Sequence, residues 1–297
     1  MSFRHKKITV GSEGMGIWGR ILIDHLLRIL DPNVTIEWKN DNSCSFIVKS
    51  HFLHLEKKWT DKMLPFVYWS GESHPVQEND NHTRYIHINA NLSDGGIYVP
   101  FLAFNIKIKN GDVYRMDNNK RRNYFLAYCN SNCVPEREYM FDLLVERDRT
   151  GTCHSLGDCC GSKGVKKRKI AGDWGPKLIK AYSNYKFVMA MENRVVPGYI
   201  TEKIINAFHG GAIPVYWGDN IVKVFFNTDA FVHVNDFDSF EACADYLCNM
   251  NQDEIAWMMH QPIFRDNKID DRLRMGWGDD VPEYYRNMAA ELGKILE

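Results

Sequence analysis

The sequence predicts an α/β fold built on parallel sheets, and three observations predict it. Short apolar runs of strand composition alternate along the chain with segments whose apolar residues recur at the spacing of one helix face. The joints between them carry glycines, prolines and charged residues, as loops that feed helix N-termini do in open sheets of this kind. At 297 residues the chain is long enough for two domains of ordinary size, each with its own core.

From the start, Lys6–Val10 reads as a strand, followed by Gly14, Gly16 and Gly19, which spell G-x-G-x-x-G. Ile21, Leu22, Leu26, Leu27 and Leu30 mark a helix, and Val34–Ile36 a strand ending in acidic Glu37. A glycine turn with such a carboxylate is also the plan of a dinucleotide site. The first glycine nevertheless stands several residues past the strand, and glycines at a βα turn equally serve plain helix-on-strand packing. Phe46–Val48 and Leu64–Trp69 are further strands, the second running into Ser70-Gly71-Glu72-Ser73-His74-Pro75, a carboxylate on a tight loop at a strand's carboxyl end. Arg84–Ile88 and Ile97–Phe101 are short extended segments.

Asn118–Asn123, with Lys120, Arg121 and Arg122, reads as a linker with a solvated basic run, dividing the chain into residues 1–118 and 119–297. Tyr124–Tyr128 is the next strand; Arg137 then opens a helix running from Glu138 to Arg147. Lys163–Lys169 reads as a surface loop with five cations and Pro176–Ser183 as a helix.

The densest information lies between Lys186 and Asp219. Tyr185–Met191 is a buried strand ending at the polar pair Glu192-Asn193, and Pro197-Gly198 break the chain. Thr201 is placed to cap a helix with Glu202 and Lys203 in its first turn, Ile204, Ile205, Ala207 and Phe208 on one face and Gly210-Gly211 at its end. Ala212–Trp217 is the following strand. Free N–H groups at a helix start attract phosphate, and Lys203 beside them adds a point charge suited to a diphosphate. Glu202 would repel phosphate, so it fits sugar hydroxyls better. Phe240–Asn249, Asp253–Gln261 and the tail from Asp279 read as amphipathic helices of structural use.

The formal net charge of −1 gives no reason to expect nucleic acid. No apolar stretch reaches transmembrane length, so the expectation is a soluble cytoplasmic chain, unless an anchored form has been truncated. The eight cysteines, Cys44, Cys129, Cys133, Cys153, Cys159, Cys160, Cys243 and Cys248, are then expected in a reducing compartment. Cys129 to Cys160 supply several soft ligands, but no paired C-x-x-C knuckle appears, so a zinc site is not expected.

The residues Glu192-Asn193, Tyr199, Thr201-Glu202-Lys203, Ala207, Gly210, Pro214-Val215 and Gly218 together resemble the donor-site signature of the α-1,3-fucosyltransferases, glycosyltransferase family 10. That resemblance implies a GT-B type fold, two Rossmann-like domains facing a cleft, with an acceptor-binding first domain and a GDP-fucose-binding second domain. It implies an inverting transfer of L-fucose to a glycan hydroxyl, O3 of N-acetylglucosamine in a lactosamine-type unit being the expected position. Glu72 matches the family's G-E motif and inherits the role of general base, for which a carboxylate of modestly raised pKa is suited. Arg137 matches an arginine that contacts the donor diphosphate, Glu192, Asn193, Tyr199, Thr201, Glu202 and Lys203 fall in the donor site, and Glu202 also joins the catalytic pair. Asn227 and the Asp236 loop would border the donor base. The glycine turn would line the acceptor side, and Gly151–Gly161 resembles the family's glycine-rich loop after the Arg137 helix. Members of the family in animal secretory pathways typically carry an anchor, so the resemblance implies a soluble form of the bacterial or viral sort. No cofactor is required, divalent metal stimulation stays open, and the partners are GDP-fucose and a glycan acceptor. The two other readings are an NAD(P)-dependent oxidoreductase using the Gly14, Gly16 and Gly19 turn with Glu37, and a sugar-nucleotide-binding protein without activity.

Overall fold

The structure, a computed structural model, describes residues 7–50, 64–74, 84–92, 95–109, 112–116, 121–170, 175–276 and 278–297. Lys6, Pro75 and the Asn118–Lys120 part of the expected linker lie outside them. In chain order come strand β1 (Lys7–Glu13), helix α1 (Ile17–Leu30), β2 (Thr35–Trp38), β3 (Phe46–Lys49), β4 (Phe66–Ser70), β5 (Tyr85–Asn89) and β6 (Ile97–Tyr98). A short hairpin, β7 (Ile108–Lys109) and β8 (Asp112–Val113), precedes β9 (Tyr124–Tyr128), α2 (Pro135–Arg147), β10 (Cys153–Ser155), α3 (Pro176–Tyr182) and β11 (Tyr185–Met191). Then come α4 (Glu202–His209), β12 (Ile213–Trp217), α5 (Val222–Phe225), β13 (Val232–His233), α6 (Phe240–Asn249), α7 (Gln252–His260) and α8 (Glu283–Leu296).

The chain forms two compact units, the first from residues 1–104, Val196–Tyr199 and Asp270–Glu297, the second from Asn105–Val195 and Ile200–Ile269. This differs from a division at 118/119 that left every terminal helix in the second domain. The reason is apolar pairing: Tyr285, Met288, Ala289 and Leu292 of α8 join Leu22, Ile23, Leu26 and Leu27 of α1 in one buried cluster over Val10, Phe46, Val48 and Val67. Each Leu, Ile, Val, Phe or Met among them contributes about 1.5 to 3 kcal/mol when fully buried. In the first unit six strands run parallel in the order β2-β1-β3-β4-β5-β6. Gly14 takes a positive φ of 64° at the end of β1, and at Gly19 an added Cβ would stand 2.6 Å from Trp69. The glycine turn thus serves close packing.

The second unit has five parallel strands in the order β10-β9-β11-β12-β13. Its edge strand β10 lies inside the segment expected as a loop. The cationic stretch beyond it lies at the surface as expected, with all five cations exposed; it is tied down where Arg168 donates its backbone N–H to the Ser155 carbonyl at 2.7 Å and Lys169 pairs with Asp158 at 2.6 Å. Arg122, expected in a solvated run, is buried, with Nη1 and Nη2 donating to the carbonyls of Gly210 (2.9 Å) and Gly211 (3.0 Å). The carbonyls at the end of α4 are thereby satisfied by a side chain from before β9.

Candidate functional site

In the second unit the site is assembled at the carboxyl ends of β9 and β11, where α2 and α4 begin. Glu192, the residue after β11, is fully buried. Its Oε1 accepts from the Thr201 backbone N–H at 2.7 Å, and both its oxygens accept from the Thr201 hydroxyl at 3.0 and 2.9 Å. Thr201 stands at the N-cap as expected, but its own side chain makes no capping bond. The carboxylate nine positions earlier serves that end of the helix instead, which places a negative charge against the positive pole of α4.

Lys203 completes the group. Its ammonium donates to Glu192 Oε2 at 3.1 Å and to Thr201 Oγ1 at 2.9 Å, and Glu202 Oε1 lies 3.9 Å away. Burial pulls this amine down, but the Glu192 and Glu202 carboxylates outweigh it and hold the lysine above its usual range, while Arg137 opposes them. The Arg137 guanidinium is fully buried, with Nε donating to the Met191 carbonyl (2.9 Å), Nη1 to that of Asn132 (3.1 Å) and Nη2 to Asn193 Oδ1 (2.7 Å). The guanidinium expected to contact the donor diphosphate is thus engaged by protein oxygens. Asn193 orients Arg137. Six of the expected residues, Arg137, Glu192, Asn193, Thr201, Glu202 and Lys203, come together in one unit with two positive charges and two helix starts. The same group also holds the Glu192 and Glu202 carboxylates, both paired with Lys203.

The other two lie in the first unit. Tyr199 is buried and belongs to the segment Val196–Tyr199, where Gly198 adopts φ 79° and its carbonyl accepts from Tyr98 Oη at 2.6 Å. Glu72 comes after β4 on its loop, half-buried, its backbone fixed by Ser70 Oγ (3.3 Å to the N–H) and by Asn91 Nδ2 (3.2 Å to the carbonyl). The carboxyl ends of this sheet hold most of the unit's buried polar side chains: Ser12, Glu13, Lys49, Ser50, Ser70 and Asn89, all at most 7% exposed. Sequence reasoning missed this floor, although the polar last residues of β1, β3, β4 and β5 were a signal. Glu37 is bonded to Lys7 (2.9 Å) and Lys39 (2.8 Å) beside the middle of β1, not beyond a strand end, so it does not stand where a ribose carboxylate would.

Two expectations need correction. Cys133 and Cys159 form a disulfide, so these thiols are not both reduced as expected. The same sulfurs and the Glu138 carboxylate stand within 4.8 Å of one another, a cluster the cysteine spacing had not singled out, but the S–S bond withdraws both thiolates from metal binding. Asn227 precedes β13, at the opposite end of the strands from the site, and its Oδ1 accepts from the Asp229 N–H at 3.1 Å as a cap. Asp236, which does lie beyond β13, is paired with Lys223. Buried His233, also missed, lies at that end with Nε2 3.4 Å from the Gly218 carbonyl.

A family model described as glycosyltransferase family 10 (fucosyltransferase), C-terminal part, matches residues 116–269. The chain is 27% identical over 160 residues to an alpha-(1,4)-fucosyltransferase of Arabidopsis thaliana, covering 50% of this chain and 39% of that protein. It is 41% identical over 76 residues to the alpha-(1,3)-fucosyltransferase FucT of Helicobacter pylori, covering 26% and 16%. It therefore spans less than 40% of the length of either relative. Among solved structures, an alpha1,3-fucosyltransferase superposes with a TM-score of 0.70 at 20% identity, over 100% of this chain and 92% of that one. The same comparison with an alpha1,3-fucosyltransferase crystallised with GDP-fucose gives a TM-score of 0.66 at 20% identity, over 100% and 93%. Anabaena HepE, in complex with UDP and glucose, gives 0.55 at 11% identity, over 98% and 100%. These likenesses establish the GT-B type of α/β fold, and with the family match covering just over half of the sequence, the chain belongs to glycosyltransferase family 10, the fucosyltransferases.

Proposed function

We propose that the chain is an inverting fucosyltransferase that moves L-fucose from GDP-β-L-fucose to a hydroxyl of an acceptor glycan, O3 of N-acetylglucosamine in a lactosamine-type unit. The observation that carries this reading is the buried Glu192–Thr201–Lys203 group with Arg137–Asn193 behind it, in a chain of this family. The second unit holds the donor. Positive charge from Lys203 and Arg137, with the α4 start, stabilises the diphosphate as the bond from C1 of fucose to its oxygen breaks. Arg137 acts by its charge from behind the loop, since its fork already holds Met191, Asn132 and Asn193. Glu202, half-buried at the start of α4, accepts hydrogen bonds from fucose hydroxyls. Glu72, in the first unit, takes the proton of the acceptor hydroxyl as its oxygen bonds to C1 from the face opposite GDP, which converts the β linkage to α. The reading requires no bound cofactor and leaves room for stimulation by a divalent metal.

The test separates binding from chemistry. Glu72→Gln keeps the shape and removes the proton acceptor, so GDP-fucose should bind as before while transfer falls by about 10² to 10⁴. Glu202→Gln should weaken donor binding and turnover together. Near-normal transfer by the Glu72→Gln protein at saturating donor and acceptor would move the base elsewhere, first to His74 on the same loop. A thermal shift with NAD and none with GDP-fucose would overturn the reading altogether.

A further inference from the structure

We propose that the second unit carries another binding site, for a small polyanion bearing phosphoryl or sulfuryl groups, at the amino-terminal edge of its sheet. A cavity of about 540 Å³ opens there, lined among others by Arg121, Arg122, Tyr124, Lys186 and His260. That volume lies in the range of small-molecule sites. Its lining includes two arginines, a lysine and a histidine and no carboxylate. Tyr124 begins β9 and Lys186 is the second residue of β11, whereas the Glu192 group lies beyond the far end of β11. The two places are a strand's length apart, roughly 20 Å.

The charged groups of the lining itself are all cationic, while the Asp148 carboxylate beside it is held by the lining residues Thr150, through Oγ1 at 2.6 Å, and Thr152, through its N–H at 2.8 Å. Arg122 is buried and donates to the carbonyls of Gly210 and Gly211. Arg115 is half-buried, and its Nη1 donates to the carbonyls of Met259 (2.8 Å) and Gln261 (3.0 Å), Met259 itself lining the cavity. Burial, and then the charge of Arg122, push Arg115 down to about 10. Two guanidinium groups that repel each other amid carbonyl dipoles make a desolvated positive region that an entering anion would relieve. At the mouth, Arg121 and Lys186 have no carboxylate partner among the described residues and remain available for charged hydrogen bonds to oxyanions. Charge and volume together define a ligand larger than one inorganic ion and carrying more than one negative charge.

The test is calorimetric titration of the full chain with two probes, inorganic pyrophosphate and N-acetylglucosamine 6-sulfate, with saturating GDP present to fill the donor site. Wild type should bind at least one probe, and the tighter of the two assigns the phosphoryl or sulfuryl source. The surface double variant Arg121→Ala/Lys186→Ala should lose about tenfold or more in that affinity. Its GDP affinity should be unchanged, with an intact far-ultraviolet dichroism spectrum. Repeating the comparison without GDP makes the result independent of the donor reading. Failure of wild type to bind either probe, or equal affinity in the double variant, would overturn the proposal.

Discussion

Glu192 shows what a single side chain does here. Its oxygens tie Thr201 and Lys203 to the strand that ends just before it, and its fully buried carboxylate is tolerable because a hydroxyl, a backbone N–H and an ammonium all point at it. Removing one member of such a buried pair strands the other, at a cost of about 3 to 5 kcal/mol. Glu192→Gln should therefore lower the unfolding free energy by that order and weaken GDP binding at the same time. Lys203→Ala should weaken GDP binding by about 1.5 to 3 kcal/mol, since it removes a charged hydrogen bond. A double-mutant cycle on these two, read by calorimetry with GDP, should show strong non-additivity; additive losses would mean that the pair acts as two separate contacts. The residue types at this site were legible in the sequence as a string. Their partners were not, because a Thr before an apolar helix reads as its own cap, and only the return of the chain after Pro197-Gly198 brings Glu192 to it.

Elements with a sustained period were legible: α1, α8 and the β11–α4–β12 unit all appear where apolar spacing placed them. Strand β10 was not, because Cys153-His154-Ser155 is too short and too polar to show alternation. Its importance lies in the loop beyond it. Gly157 lies so close to the Asn130 backbone that an added Cβ would stand 2.5 Å from its carbonyl oxygen, and the Cys133–Cys159 bond closes a loop of 26 residues around α2. The start of α2, which carries Arg137, is thus held by the loop behind it. Cross-linking a loop of that length restricts the unfolded chain by about 3 to 4 kcal/mol. Cys133→Ser should lower the melting temperature accordingly. It should also weaken GDP binding, because Asn132, next to Cys133, supplies an acceptor to Arg137. A variant with lower stability and unaltered GDP affinity would confine the disulfide to a structural role.

For the molecule as a whole, the return of Asp270–Glu297 to the first unit could not be read from the sequence, because an amphipathic helix announces an apolar face without naming its partner. The two units share a feature with a measurable consequence: each contains imidazoles that burial pushes below the usual histidine range, His25 in the first and His154, His209 and His233 in the second. His209 shows the state involved, its Nε2 accepting from the Lys107 N–H at 3.1 Å while Nδ1 lies 2.5 Å from the Tyr114 carbonyl, so the ring sits neutral between them. The unfolded chain takes up protons on these rings near pH 6.5, where the folded chain does not. Unfolded molecules then bind more protons than folded ones, so stability is complete above about pH 6.5 and falls as the pH drops through and below that value. Each ring contributes at most about 1.4 kcal/mol per pH unit in that window. At the other limb the sign reverses. Burial pushes the Cys243 thiol up to about 12 and Cys129, with Asp158 nearby, up to about 11, so the unfolded chain releases these protons first and stability is lost as the pH rises beyond about 8.5. The melting temperature should therefore form a plateau between about pH 6.5 and 8.5, with a decline on each side. Carboxylates held low by their partners, such as Glu37 and Asp158 beside lysines, come into play only below about pH 4.5 and leave the upper part of the acid limb to histidine. Melting curves at half-unit steps from pH 5 to 10 test this directly. A melting temperature that stays flat from pH 7.5 down to 5 would mean that these imidazoles are protonated in the folded chain, and that the neutral His209 bridge between Lys107 and Tyr114 does not form.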